Sequence, residues 1–130
     1  MSSESTHEPY DLLSDETKNL HRAIVSLVEE LEAVDWYNQR ASVCPDEELR
    51  AVLMHHRNEE IEHAMMNLEW IRRHDAVFDR HMRTYLFSSG LITEIEAKAK
   101  GAAEDGGGSA SEVGTRGAGG SLGIGTLRTA

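Results

Sequence analysis

Residues 57–66 read RNEEIEHAMM, and within them Glu60-Ile61-Glu62-His63 sets a carboxylate and an imidazole three positions apart. On a helix, positions i and i+3 share one face about a turn apart, so Glu60 and His63 can reach one metal ion. Helical bundles that hold two metal ions between carboxylates draw two such Glu-x-x-His pairs and two further glutamates from four helices. This chain offers one pair, on one of only two long helices. The fold therefore turns on where the other half of the ligand set comes from.

The motif by itself is weak. With 16 glutamates and 7 histidines in 130 residues, about one Glu-x-x-His arises by chance. A second occurrence, Glu4 with His7, lies in a polar N-terminal stretch. The setting of Glu60 and His63 is more informative. Residues 1–13 read as a flexible leader, and Ser14 is a candidate N-cap followed by Asp15 and Glu16 in a first helical turn. Leu20, Ile24, Leu27, Leu31 and Val34 then recur at spacings of 4, 3, 4 and 3, the seam of a packed helix running to about residue 42.

Residues 41–45 form a turn, with Pro45 expected at the first position of a second helix and Asp46, Glu47 and Glu48 behind it. That helix runs to about residue 74 through Leu49, Leu53, Ile61, Ala64, Leu68 and Ile71. So short a connection makes the two helices an antiparallel hairpin. A shorter helix fits 77–87, with Phe78, Met82, Tyr85 and Leu86 on one side. Gly90 breaks it, and Thr93 with Glu96 predicts a capping box for a last short helix.

The helical domain is thus expected over 14–98, and composition changes after it. Ten of the eleven glycines lie from Gly101 onward, which reads as a flexible linker over 99–119. The chain nevertheless ends in GSLGIGTLR (120–128), where Leu122, Ile124 and Leu127 are spaced aliphatics that a merely solubilising tail does not need.

Composition narrows the function classes. The net charge of -10 argues against nucleic-acid binding, which wants a basic face, and suits cations. The single cysteine, Cys44, allows no disulfide within one chain and favours a reducing compartment. Without a run of eighteen apolar residues or an apolar segment behind a basic start, neither a membrane span nor a secretory signal is expected, and the cytoplasm is the expected location.

Helical geometry puts Glu60 and His63 on one face with Leu53, His56 and Trp70, and sets Glu30 on the stripe of Ala23, Leu27, Val34 and Tyr37. An acid within an apolar stripe is costly unless it is paired or bound to metal. Carboxylate oxygens with one imidazole suit iron or manganese. The bland alternative is that Glu30, Glu60 and His63 are solvated or salt-bridged surface groups. His55, Glu59 and Glu62 share a neighbouring face, and Glu29 lies with Glu32 on the first helix. Such acidic runs are usually wet faces, or else a secondary metal site. Tyr37 is either a hydrogen-bond donor behind the ligands or a packed aromatic.

A hairpin cannot bury both helix faces and needs a partner layer. Two hairpins packed about a two-fold axis make a four-helix bundle, and the ligand count then closes with two Glu30, two Glu60 and two His63. The fold class expected is all-α: a two-helix antiparallel hairpin plus short C-terminal helices, dimerising into a four-helix bundle.

The stretches EELEAVDWYNQR (29–40), EEIEHAMMNLEWIRR (59–73), RTYLF (83–87) and the terminal GSLGIGTLR together resemble the encapsulated ferritins of bacteria, from about residue 7 to residue 128. The resemblance implies a ferritin-like ferroxidase that oxidises Fe(II) to Fe(III) at a di-iron site across a homodimer interface, with dioxygen as acceptor. It implies Glu30, Glu60, His63 and Tyr37 as the catalytic residues, with Glu30 and His63 as terminal ligands, Glu60 bridging and Tyr37 the neighbouring phenol. Glu29 and Glu32 match an acidic site where iron enters, and His55, Glu59 and Glu62 match a peripheral metal site. Ca2+, Zn2+ or Mn2+ are further occupants in vitro. Rings of dimers, typically decamers, are implied as well. So is a tail at 120–130 that docks through Leu122, Ile124 and Leu127 inside an encapsulin shell in the bacterial cytoplasm. The alternative from another class is a non-catalytic protein that buffers iron or serves assembly.

Overall fold

A computed structural model of the chain describes residues 6–107, which contain helices and no strand. The leader is not wholly loose: a 3-10 turn spans Tyr10–Leu12. There the Tyr10 hydroxyl accepts from Arg22 Nη2 at 3.1 Å, and Lys18 Nζ lies 4.5 Å over the ring. Helix α1 covers Asp15–Val43. Ser14 caps it as expected, its hydroxyl accepting from the Thr17 N–H at 3.1 Å. The helix stops because Cys44 precedes Pro45: proline disfavours helical angles in the residue before it, and Cys44 is extended (φ -74, ψ 119).

Helix α2 covers Glu47–His74. It begins after Asp46 rather than at Pro45, which corrects the expected start. Asp46 Oδ1 accepts from the Leu49 N–H at 2.7 Å, and a side-chain cap of this kind fixes the first turn one residue beyond itself. Arg50 then closes the turn, donating Nε and Nη2 to the Cys44 carbonyl at 3.0 and 2.6 Å. Three residues suffice to reverse the chain, and α1 and α2 pack along their length.

The chain divides into two compact units after His74. In the first, burial is sparse: the fully covered apolar residues of the hairpin are Ala41, Cys44, Ala64 and Ile71. Small residues at 41 and 64 let the helices approach closely. Most of the predicted seam is only half-buried, and Leu31 is 50 % exposed. Trp36, Val52, Met65 and Met66 also stand half-exposed. One hairpin has no second layer to cover them.

In the second unit, α3 covers Ala76–Tyr85. Buried Asp75 caps it, with Oδ1 accepting from the Val77 and Phe78 N–H groups at 3.0 Å each. The helix ends one turn's fraction earlier than expected, at an extended Leu86, and Phe87 turns left-handed (φ 60). Gly90 takes φ 90, a conformation that other residues rarely adopt, which explains a glycine there. Helix α4 covers Ile92–Gly107 and packs on α3. It starts before Thr93, with the Leu91 carbonyl accepting from the Glu94 and Ile95 N–H groups, so the predicted Thr93–Glu96 box is not its cap. It also runs through 99–107, which the glycine content had placed in the linker; Ala and Lys within 97–103 sustain the helix. The remaining stretches read as linker and terminal peptide, with Leu122, Ile124 and Leu127, lie outside the described residues.

Candidate metal centre

The turn geometry sets the hairpin register, and the register brings Glu30 of α1 opposite Glu60 and His63 of α2. His63 Nδ1 lies 3.7 Å from Glu30 Oε2 and 3.6 Å from Glu60 Oε2. One ligand atom from each of the three lies within 4.8 Å of the others, the only such group of three among the described residues. Their side chains are 26 % (Glu30), 24 % (Glu60) and 47 % (His63) exposed, so the group is half-open on one side.

Two carboxylates this close cannot comfortably both be charged. The Glu30 pKa is raised above its ordinary 4.5, chiefly because Glu60 hydrogen-bonds to it, then through burial and the Glu60 charge, while His63 opposes the shift. A cation seated between the two carboxylates would relieve the repulsion that contributes to this shift. Two oxygens and one imidazole nitrogen are a donor set for iron(II) or manganese(II) rather than for a thiolate-seeking metal. Three protein donors also leave a metal ion well short of a full coordination shell.

The same register pairs Tyr37 with His56, two helical turns and about 10 Å toward the interhelix turn. Their rings meet edge-on, with centroids 5.2 Å apart at 68°. The Arg40 guanidinium carbon lies 5.3 Å over the Tyr37 ring. His56 had been noted only as sharing the face of Glu60. Its pairing with Tyr37 was missed because a cross-helix contact needs the register, which neither helix reveals alone.

The peripheral residues are less gathered. His55 Nε2 and Glu59 Oε1 pair at 2.8 Å, both exposed, as i and i+4 neighbours. Glu62 does not join them; it lines a shallow hollow of about 560 Å³ with Met65, Met66, Glu69, Trp70, Arg73 and His74. Glu29 and Glu32 are exposed on α1 without a third ligand beside them among the described residues. No described helix is long and apolar enough to cross a membrane.

Known proteins resemble this chain in sequence and fold. The sequence profile of the EncFtn-like family matches residues 5–89. The chain is 58 % identical over 127 residues to the encapsulated ferritin-like protein of Rhodospirillum rubrum, covering 98 % of this chain and 90 % of that one. It is 48 % identical over 102 residues to a ferritin-like protein of Thermotoga maritima, covering 78 % of this chain and 90 % of that protein. A crystal structure of a Nitrosomonas europaea protein superposes with a TM-score of 0.66 at 58 % identity, over 68 % of this chain and 97 % of that one. An all-α hairpin carrying Glu30, Glu60 and His63, with relatives this near over this much of its length, belongs to the EncFtn-like family of encapsulated ferritin-like proteins.

Proposed function

We propose that the chain is a ferroxidase whose di-iron site forms where two copies meet, and that it works as cargo of an encapsulin shell. The observation that carries the reading is the half-open group of Glu30, Glu60 and His63. One chain supplies three ligand atoms, and a second copy about a two-fold axis supplies three more, the count that a two-metal helical bundle uses. The half-exposed Leu31, Trp36, Met65 and Met66 are apolar surface that a second hairpin would cover.

In this reading Fe(II) is the substrate. Glu30, Glu60 and His63 would hold the iron, with Glu60 the ligand shared between two ions and Glu30 and His63 completing each one's protein ligands. Each iron gives up one electron, and two electrons pass to dioxygen. Oxidation favours carboxylate ligands, because added positive charge strengthens their hold. Tyr37 is the phenol beside the ligands. An open ring of short bundles would enclose no cavity, so storage would fall to the shell. The tail GSLGIGTLR suits a shell groove, ordering on binding through Leu122, Ile124 and Leu127.

Aerobic addition of Fe(II) to the purified protein tests the reaction. Fe(III) should form faster than in an iron-only control, and Glu60→Ala or His63→Ala should return it to that control. Equal rates in all samples would refute the ferroxidase; metal binding without oxidation would leave the iron-buffering alternative. Iron should also drive association, since a metal favours whichever state completes its site. Removing residues 120–130 should leave oxidation intact and abolish co-purification with a shell protein.

A further inference from the structure

We propose that His56 is a positioning residue for the iron site, acting through Tyr37; the inference rests on the ferroxidase reading above. In the hairpin register, Tyr37 and His56 pair across the two helices on the interhelix-turn side of the ligand group, two helical turns from Glu30 and His63. A helical aromatic leans toward its helix N-terminus, which for Tyr37 is the side of Glu30.

Two contacts hold that ring. His56, projecting from the opposite helix, meets it edge-on at 5.2 Å and 68°. Arg40, three positions farther along α1, stands over it at 5.3 Å. The Arg40 contact comes from Tyr37's own helix and moves with it. The His56 contact ties the Tyr37 ring to α2, the helix that carries Glu60 and His63. His56 also lies one turn before Glu60 on α2, so a displacement of the phenol is read directly against the ligands. The neighbouring His55 does not compete for the ring: its Nε2 is engaged by Glu59, and its centroid lies 6.3 Å from that of His56.

His56 has no place in the ligand set. It is not among the group formed by Glu30, Glu60 and His63, and its ring contact is with Tyr37. An edge-to-face aromatic contact biases a ring's orientation by a factor of about two to ten, and the oxidation rate should fall by that factor when the contact is lost.

The test uses the full chain. Metal-free protein labelled with 3-fluorotyrosine gives signals from Tyr10, Tyr37 and Tyr85, and Tyr37→Phe assigns one of them. His56→Ala should move or broaden the Tyr37 signal and leave the other two in place. In the Fe(II) assay, His56→Ala should be about two- to tenfold slower than wild type, with no further slowing when added to Tyr37→Phe. His56→Phe keeps a ring at the contact, should recover most of the rate, and carries the test if the alanine variant unfolds. An unmoved Tyr37 signal, wild-type oxidation by His56→Ala, or an equal His56→Ala effect with and without the Tyr37 hydroxyl would each overturn the inference. If wild-type protein oxidises no iron, the ferroxidase reading fails instead, and the fluorine signals still decide the His56–Tyr37 link.

Discussion

The two ends of the polar chemistry in this hairpin are finished to different degrees. At the interhelix turn, one chain meets every need: Asp46 caps α2, Arg50 clasps the Cys44 carbonyl, and Ala41 and Cys44 are covered. Four turns of helix away, Glu30, Glu60 and His63 gather with a quarter to a half of each side chain open. The turn holds a monomer's fold together. The acidic layer stands open to a further ligand, and its crowded carboxylates raise the Glu30 pKa. Stability and function therefore occupy separate lengths of the same two helices, which makes them separable by mutation.

The sharpest break would come at the acidic layer. Glu30→Ala should reduce iron oxidation by more than about 100-fold, because the loss of a ligand exceeds the usual effect of losing a residue behind one. The metal-free melting temperature should stay the same or rise. A folded, equally stable Glu30→Ala protein with near-normal oxidation would undo the division of labour.

The converse belongs to the turn. Arg50→Ala leaves the part-buried Cys44 carbonyl without its two charged donors and should lower stability by about 1.5–3 kcal/mol in urea unfolding. Oxidation per folded chain should remain within twofold of wild type. Asp46→Ala, which removes the cap of α2, should cost about 1 kcal/mol, again with oxidation intact. If either turn variant lost oxidation while folded, the register would be the weaker link and the two regions would not be independent.

The smallest effects concern pH, and they run in opposite directions. Glu30 holds its proton more tightly folded than unfolded, so its contribution is most favourable below about pH 4.5 and is lost as pH rises through the higher folded value. Glu30→Gln should therefore gain on wild type, in the absence of metal, as pH climbs above that point. Glu69 is held down to about 2 by Arg72 and then Arg73, whose guanidinium groups donate to its carboxylate. Its contribution is present above about pH 4.5 and disappears as pH falls toward 2. This fork is solvent-exposed, so Glu69→Gln should shift the melting curve only slightly at neutral pH and not at all near pH 2.

Much of the fold was legible because its signals are local. Leu20, Ile24, Leu27 and Val34 mark α1, Ser14 its start and Pro45 its end, each through chemistry contained within a few residues. The misses share a cause as well. Pro45, the Thr93–Glu96 pair and the glycines after 100 signal by residue type, whereas the Asp46 side chain and the Leu91 carbonyl set the helix starts and the Ala and Lys residues of 97–103 extend α4. At the site, Glu60 and His63 could be paired from their spacing, and Glu30 stood out as an acid within an apolar stripe. That Glu30 faces His63, and Tyr37 faces His56, depends on how three turn residues set one helix against the other. Periodicity does not carry that information, and it does not tell how deeply the seam of a lone hairpin is buried.

The half-open ligand group also sets a clock. On the proposed reading, chains that each hold half a site would be inert while dilute, and below the pairing constant a doubling of chain concentration should raise the oxidation rate per volume about fourfold. Confinement in a small volume would then act as the ignition, starting the reaction where its product could be kept.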